Sequence, residues 1–406
     1  MPEEERVEHL SALVNVAAVS NTRRTERVMF RGQPLDAPVI SVEAGFPRYR
    51  LQNGRTRRKQ EAYLENNPDA ARDIFGDPTS EDAQAAQHAI LVEMAADADL
   101  RALIERDGQQ HPLILTHDGY VVNGNRRLAV IRDLGRDDWV DAVVLPPSRA
   151  ADLAILEMNL QMAEDGKADY NWVDELLTIE SNIAELDLSV EQVARAMHVQ
   201  MRTIELKRET LVLVNLYLEA IHKHSQHFLI EGDEQAFDTL ARAHREYNDN
   251  PSMQASIRSM GFNIIARPRA GRSTHLQLQK MVRGLEKSVE LLGVLDPPDD
   301  VPAPGTDTAL LFDPNDLDAA EQYVVNMPVS EESADRIHEA IEVANGLEGE
   351  EEEARAALKS VKEAARALAG VEIRETTTER RAIRGQLDSI DRECARIRGH
   401  LQVTGE

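Results

Sequence analysis

The stretch Gly108-Gln-Gln-His-Pro-Leu-Ile-Leu-Thr-His-Asp-Gly-Tyr-Val-Val-Asn-Gly-Asn-Arg-Arg-Leu-Ala-Val-Ile-Arg-Asp-Leu-Gly135 changes its pattern twice within a single domain's worth of chain. Pro112 to Thr116 is a short apolar run, Asp118-Gly119 is a turn pair, and Tyr120 to Asn123 is a second apolar run. That order predicts a strand, a tight turn and a second strand. The loop Asn123-Gly124-Asn125 then opens a helix from Arg126 to Leu134, and Gly135 stands where glycine is favoured just past a helix C-terminus. Val140-Asp-Ala-Val-Val-Leu145 reads as another strand.

Upstream, Val7–Val19 has helical apolar spacing, and Val39-Ile-Ser-Val42 reads as a short strand ahead of Gly45-Phe-Pro47. A basic segment, Arg48-Tyr-Arg-Leu-Gln-Asn-Gly-Arg-Thr-Arg-Arg-Lys59, follows. Residues 60–106, broken at Asn67-Pro68 and Asp77-Pro78, carry helical stretches at about 80–95 and 97–106 and read as a helical insertion. Downstream of Pro146-Pro147 every segment reads as helical to about 225. Further helices follow over 230–290, broken at Asn250-Pro251 and at the basic turn Ala266-Arg-Pro-Arg-Ala-Gly-Arg-Ser273.

Leu295–Gly305 is acidic and proline-rich, the composition of a linker. Beyond it, residues 330–402 read as two long charged helices around Gly346–Glu353 and Gly370, fit for a helical hairpin or a coiled coil. The expected organisation is residues 1–147 as a sheet-bearing domain with an N-terminal extension and helical insertion, then 148–294 as a helical domain. Residues 295–329 form the linker and 330–406 the C-terminal helices. The fold class is α+β, a small mixed sheet followed by a mostly helical remainder.

The 406 residues exceed what one core organises, and an aromatic content of 4% argues against a β-sandwich or barrel. No apolar run reaches the roughly 18–20 residues a membrane span needs, and Met-Pro-Glu-Glu-Glu at the start is unlike a secretion signal. The expectation is a soluble, cytoplasmic protein with no membrane partner. The single cysteine, Cys394, excludes an intramolecular disulfide and a cysteine-rich zinc site.

A net charge of −26 opposes nucleic acid on average, yet residues 1–60 are net basic, so local basic faces survive on an acidic chain. Arg267, Arg269, Arg272 and His275 make a second basic cluster. His222, His224 and His227 bunch within two turns, but without a cysteine or carboxylate pattern they read as surface histidines, and no metal site is assigned.

Strand, Asn123-Gly124-Asn125-Arg126-Arg127, helix is the sharpest chemical signal, because amides at a helix N-terminus together with two guanidinium groups hold a phosphate. The same spacing fits an Asn-Gly turn with arginines on a solvated first helical turn, and spacing alone leaves the two readings even.

Read together, Gly108-Gln-Gln-His-Pro-Leu-Ile-Leu, Asp118-Gly119, Gly124-Asn-Arg-Arg-Leu-Ala and Leu156-Glu-Met-Asn-Leu-Gln161 resemble, in order and approximate spacing, the N-terminal domain of the ParB family. That family shows Gly-x-x-Gln-Pro, a hairpin, Gly-Glu-Arg-Arg, Glu-Asn-(Leu/Ile)-Gln and then a helix-turn-helix. The resemblance covers about residues 97–213. It implies a ParB/sulfiredoxin-like fold and a nucleoside triphosphate pocket for CTP or ATP with Mg²⁺. Gly124, Asn125, Arg126 and Arg127 would be at the phosphates, Gly108 and Gln110 would shape the pocket, and Asn159 would be near metal and phosphate. It also implies double-stranded DNA as partner and a dimer that closes as a clamp.

Two departures bear on the chemistry. Asn125 stands where the family has Glu, and Met158 stands where it has the Glu of Glu-Asn, with Glu157 one residue away. Neither replacement supplies the charge that holds Mg²⁺ or positions a water, although Glu157 could partly compensate, so binding is better supported than hydrolysis. Sulfiredoxin's thiol chemistry is excluded by Asn125. The basic segment lies where the family has its first nucleotide-contacting motif and offers Arg55 and Thr56 to a phosphate, although it does not match that motif residue by residue.

Leu188-Ser-Val-Glu-Gln-Val-Ala-Arg-Ala-Met-His-Val-Gln-Met-Arg-Thr-Ile204 reads as a helix-turn-helix within about 188–213, with Ser189 capping the first helix and Ala194 leaving room for the second. Gln200, Arg202, Thr203, Lys207 and Arg208 are the DNA-contacting candidates. His198 replaces the usual turn glycine, and Glu205 and Glu209 lower the local positive potential, so a purely structural helix pair is the competing reading.

The function expected from these residues is a nucleotide-switched DNA clamp, partition factor or regulator. The rivals are an NTPase or nuclease component of a DNA modification, conjugation or anti-phage defence system, and a non-catalytic scaffold or transcription regulator. A homodimer and a protein partner recruited by the C-terminal helices complete the expected partners.

Overall fold

The computed structural model describes residues 1–20, 24–51, 54, 56–96, 100–135, 138–162, 171–295, 327–369 and 380–403. The chain divides into two compact units, Met1–Asn345 and Gly346–Glu406. The first opens with helix α1 (Glu3–Val19), the hairpin strands β1 (Thr25–Phe30) and β2 (Gln33–Pro38), then β3 (Ile40–Glu43) and β4 (Arg48–Tyr49). Three helices follow, α2 (Arg57–Asn66), α3 (Glu81–Ala96) and α4 (Leu100–Asp107), then β5 (Leu113–Leu115), β6 (Tyr120–Asn123), α5 (Asn125–Leu134) and β7 (Trp139–Val144).

Five strands form a mixed sheet in the order β3-β7-β5-β6-β4. β5 and β6 are an antiparallel hairpin, β5 and β7 run parallel, β4 joins β6 parallel, and β3 joins β7 antiparallel. Because side chains alternate along a strand, Leu113 and Leu115 face one side, where they pack with Leu10 of α1, Leu91 of α3 and Leu128 of α5. Ile114, Val122 and Val143 face the other, against Val28 and Phe30 of the β1–β2 hairpin and Leu156 of the next helix, α6 (Ala150–Met162).

The remaining helices are α7 (Trp172–Ala184), α8 (Val190–Ala196), α9 (Met201–Ala220), α10 (Glu234–Glu246), α11 (Pro251–Ala266), α12 (Thr274–Arg283) and α13 (Leu285–Leu295). Trp172, Tyr217, Phe237 and Phe262 centre their core, with ring centroids 5.6–5.9 Å apart in neighbouring pairs. The helix Glu331–Ala369 contributes Ile337, Ala340 and Ile341 to the same core, and it runs without a break through Gly346–Glu353. The architecture is therefore α+β, a small mixed sheet followed by helices.

The sequence reading misses the β1–β2 hairpin. Its partners Phe30 and Gln33 are joined by Arg31 and Gly32, at φ 52° and 72°, the two positive angles of a hairpin turn whose twist matches its strands. The expected linker over 295–329 falls mostly outside the described residues. In the second unit, the helix Arg380–Val403 leaves Leu387 and Ile397 exposed.

Candidate phosphate-binding site

β6 ends at Asn123 and α5 begins at Asn125, so Gly124 turns the chain in place; its φ of 98° lies in the left-handed region that side chains disfavour. A Cβ there would lie 2.6 Å from Leu113 Cδ2 and 3.2 Å from Arg127 Nη1. Position 124 therefore requires glycine for its backbone angle and for the closeness of β5. No side chain caps the N-terminus of α5, and its first-turn amides carry the partial positive charge that favours anions.

Arg126 and Arg127 stand in that first turn. Arg127 Nη1 donates to the carbonyls of His111 (3.0 Å) and Pro112 (3.4 Å), tying the helix N-terminus to the segment that follows Gly108. Burial, and after it the charge of Arg126, pushes the Arg127 pKa down, a direction that an incoming anion would offset. Asn125 is buried; its Nδ2 donates to the Val121 carbonyl (3.1 Å), while its Oδ1 is buried without a hydrogen-bond partner.

Gly108 ends α4 at φ 67°, its amide bonded to the Ile104 carbonyl (2.9 Å). Gln110 is exposed and folds back on the Asp107 carbonyl. Its neighbour Gln109, which the sequence does not single out, bonds both the amide (2.8 Å) and the carbonyl (2.7 Å) of Asp141 and so fixes this segment to β7. The contacts thus bring His111–Leu113 and Gly124–Arg127 together, while Gly108 and Gln110 bond within and just after α4.

Asn159 is half-buried on α6, the helix that packs on the hairpin face. Glu157 is ion-paired with Arg50 at 2.8 Å, with 13% and 14% of the two side chains exposed. Two residues apart on a helix is a rotation of roughly 160° around its axis, so Glu157 and Asn159 leave α6 on different sides. A carboxylate already neutralised by Arg50 does not stand in for the family's Glu. A cavity of about 300 Å³ is lined by Arg50, Phe75, Thr116, Asp118, Tyr120 and Ser148 among others. It reaches the start of β6, not the Gly124 end.

The basic segment is largely engaged. Arg48 reaches Glu81 (3.0 Å) and Lys59 reaches Glu93 (3.2 Å), while Thr56 is buried and its hydroxyl accepts from Gln87 Nε2 (3.1 Å). Arg55 lies outside the described residues. Arg58 is buried and paired with Asp174 (3.5 Å) and with Glu231, a junction between α2 and the helical layer. Glu61, one turn along α2, holds His227 Nδ1 at 3.0 Å, and His227 Nε2 lies 2.9 Å from Asn215 Oδ1. His227 is buried, so the reading of that trio as surface histidines fails for this one. Its carboxylate partner, Glu61, lies 166 residues away in the sequence.

At α8–α9, Ser189 and Gln192 form a reciprocal capping box, Ala194 and Ile204 are buried between the helices, and His198 takes the turn at φ 55°. Gln200 and Arg202 are exposed at the start of α9 and Thr203 is half-buried. Lys207 and Arg208 instead turn back onto α7, pairing with Glu175 and Glu180, each at 2.8 Å. Among the described residues no cluster of three or more His, Cys, Asp or Glu is placed to hold a metal ion, and no helix is long and apolar enough to cross a membrane.

No family model and no curated protein matches the chain. Among solved structures it is similar to the C-terminally truncated chromosome-partitioning protein ParB from Caulobacter crescentus, complexed with CTP-gamma-S. The identity is 13%, the match covers 54% of this chain and 98% of that chain, and the TM-score is 0.18. A score that low bears on neither fold nor function.

Proposed function

We propose that the chain is a ParB-like, DNA-associated protein that binds a nucleoside triphosphate at the N-terminus of α5 and contacts double-stranded DNA through α8–α9. The observation that carries the nucleotide reading is the left-handed Gly124 opening a helix that lacks a side-chain cap, with Arg126 and Arg127 in its first turn. Helix-terminal amides together with guanidinium groups at one helix end are the donor set a polyphosphate needs. The unpartnered Asn125 Oδ1 adds an acceptor for a donor group of the ligand or a bridging water.

The donors fit phosphate better than they fit Mg²⁺. Asn125 carries no charge, and Glu157 is committed to Arg50. The site therefore holds CTP or ATP without the carboxylates that would position a hydrolytic water, and the reading is a binding switch and not an NTPase or nuclease. Nucleotide supplies the negative charge that shields Arg126 and Arg127 from each other. Gln200, Arg202 and Thr203 at the exposed start of α9 would meet the duplex. Dimerisation, and recruitment of a partner protein, would use the C-terminal helices.

Calorimetric titration of CTP, ATP, GTP and UTP with Mg²⁺ tests this, using the intact chain, Arg126→Ala, and the Arg126→Ala/Arg127→Ala pair. Arg127 also ties α5 to His111, so the single variant separates ligand loss from local unfolding. Saturable binding that weakens in Arg126→Ala supports the reading. Binding of none of the four by the intact chain rejects it and leaves a scaffold or regulator.

A further inference from the structure

From Asn250 to Leu285 the sequence contains no Asp or Glu, yet it carries Arg258, Arg267, Arg269, Arg272, Lys280 and Arg283 in a chain of net charge −26. Arg258 is turned inward, 2.9 Å from His244 Nε2. Arg267, Arg269, Arg272 and Arg283 are exposed on the α11–α12 turn and on α12, with Lys280 half-buried beside them.

Among the described residues, a single carboxylate answers three of these cations. Glu342 Oε1 lies 2.5 Å from Arg272, 3.7 Å from Lys280 and 3.8 Å from Arg269, and these three side chains remain 50%, 43% and 43% exposed. The hydrogen bond from Arg272 holds the Glu342 carboxyl below its usual range. One negative charge shared among three positive ones leaves an excess of positive charge facing water. Nothing in the packing needs this excess, because α12 buries Gln277, Leu278 and Met281 on its other side.

We propose that the α11–α12 turn is a second polyanion-binding surface, fitted to the phosphodiester backbone of double-stranded DNA and separate from the exposed start of α9. Three exposed guanidinium groups on one short turn suit phosphate oxygens, which they bind in a fork that lysine cannot match. Position supports a duplex over a short acidic peptide. Arg267 lines the same cavity as Ala220 and Ile221 at the far end of α9, and α9 has 20 residues, a length of roughly 30 Å. The start of α9 and the basic turn are thus separated along α9 by roughly 30 Å, a spacing on the scale of one duplex turn, about 34 Å.

The test is fluorescence anisotropy of a labelled mixed-sequence duplex with the full chain, over a salt series, for Arg269→Ala/Arg272→Ala, Glu342→Gln and Gln200→Ala/Arg202→Ala. All these positions are exposed or surface-paired, and matching thermal melts confirm that the variants fold. Loss of two phosphate contacts should lower the slope of log affinity against log salt by about 1.8 and weaken binding at low salt by roughly tenfold or more. Glu342→Gln should strengthen binding. Unchanged affinity and slope in Arg269→Ala/Arg272→Ala, with loss only in Gln200→Ala/Arg202→Ala, overturns this inference and leaves the α8–α9 reading standing. Loss only in the arginine pair supports it and removes α8–α9 from the DNA account. No binding by the intact chain overturns both.

Discussion

Gly124→Ala strikes a position where a left-handed backbone angle and tight packing coincide with the proposed phosphate site. Placing an L-residue at φ 98° costs about 1–2 kcal/mol. The new Cβ would sit 2.6 Å from Leu113 Cδ2, and forcing a packed core side chain aside costs about 1–3 kcal/mol more. The expected loss is therefore about 2–5 kcal/mol, the sum of those two ranges. Gly135→Ala is the control, because φ there is 60° with open space around the Cβ, leaving only the backbone cost of about 1–2 kcal/mol. Urea unfolding followed by circular dichroism gives both values. The variant should also push Arg127 Nη1 off the His111 carbonyl and weaken any nucleotide binding. Gly124→Ala within about 0.5 kcal/mol of wild type, the ordinary spread for a neutral surface change, would refute the claim that this turn is both strained and crowded.

Three other outcomes follow from the same packing. Burial raises the Asp174 pKa from 3.8 to about 7 against the opposing pull of Arg58. The folded state thus holds this proton more tightly than the unfolded one, and the stability it contributes is full below pH 4 and is lost as pH rises towards 7. The wild-type minus Asp174→Asn stability difference, read by denaturant melts from pH 4 to 8, should fall by up to about 4 kcal/mol; a flat difference would contradict the assignment. His198→Gly relieves the left-handed turn at φ 55° and should add up to about 1 kcal/mol, seen by calorimetric melting, whereas destabilisation would mean that the His198 side chain holds the turn. Ile131→Ala, at a fully packed position of α5, should cost about 2–5 kcal/mol, and a loss below that range in urea would show that α5 is not seated on the sheet as described.

Much of this fold was written in local patterns. The β5–β6 hairpin followed by α5 was legible because Asp118-Gly119, Gly124 and Gly135 each sit at a turn or a helix end, and Ser189 signalled the start of α8 through its capping box. The β1–β2 hairpin was not, since β2 carries Pro34 and Pro38 and each strand buries few side chains, so no alternation marks it. The junction Arg58–Asp174–Glu231 and the pairing of His227 with Glu61 were invisible for another reason: their partners lie more than a hundred residues apart. Spacing rules see only neighbours. For the same reason the sequence could offer Glu157 as a replacement carboxylate and Lys207 and Arg208 as DNA contacts, without revealing that Arg50, Glu175 and Glu180 already occupy them.

The proposed phosphate site is tested most directly by amide hydrogen exchange across residues 123–128, with and without CTP or ATP. The account predicts that a bound triphosphate slows exchange at Asn125, Arg126 and Arg127, whose amides no side chain caps, and that Arg126→Ala reduces the protection. Nucleotide binding that leaves these three amides unchanged would contradict it, because the ligand would then sit somewhere other than the N-terminus of α5.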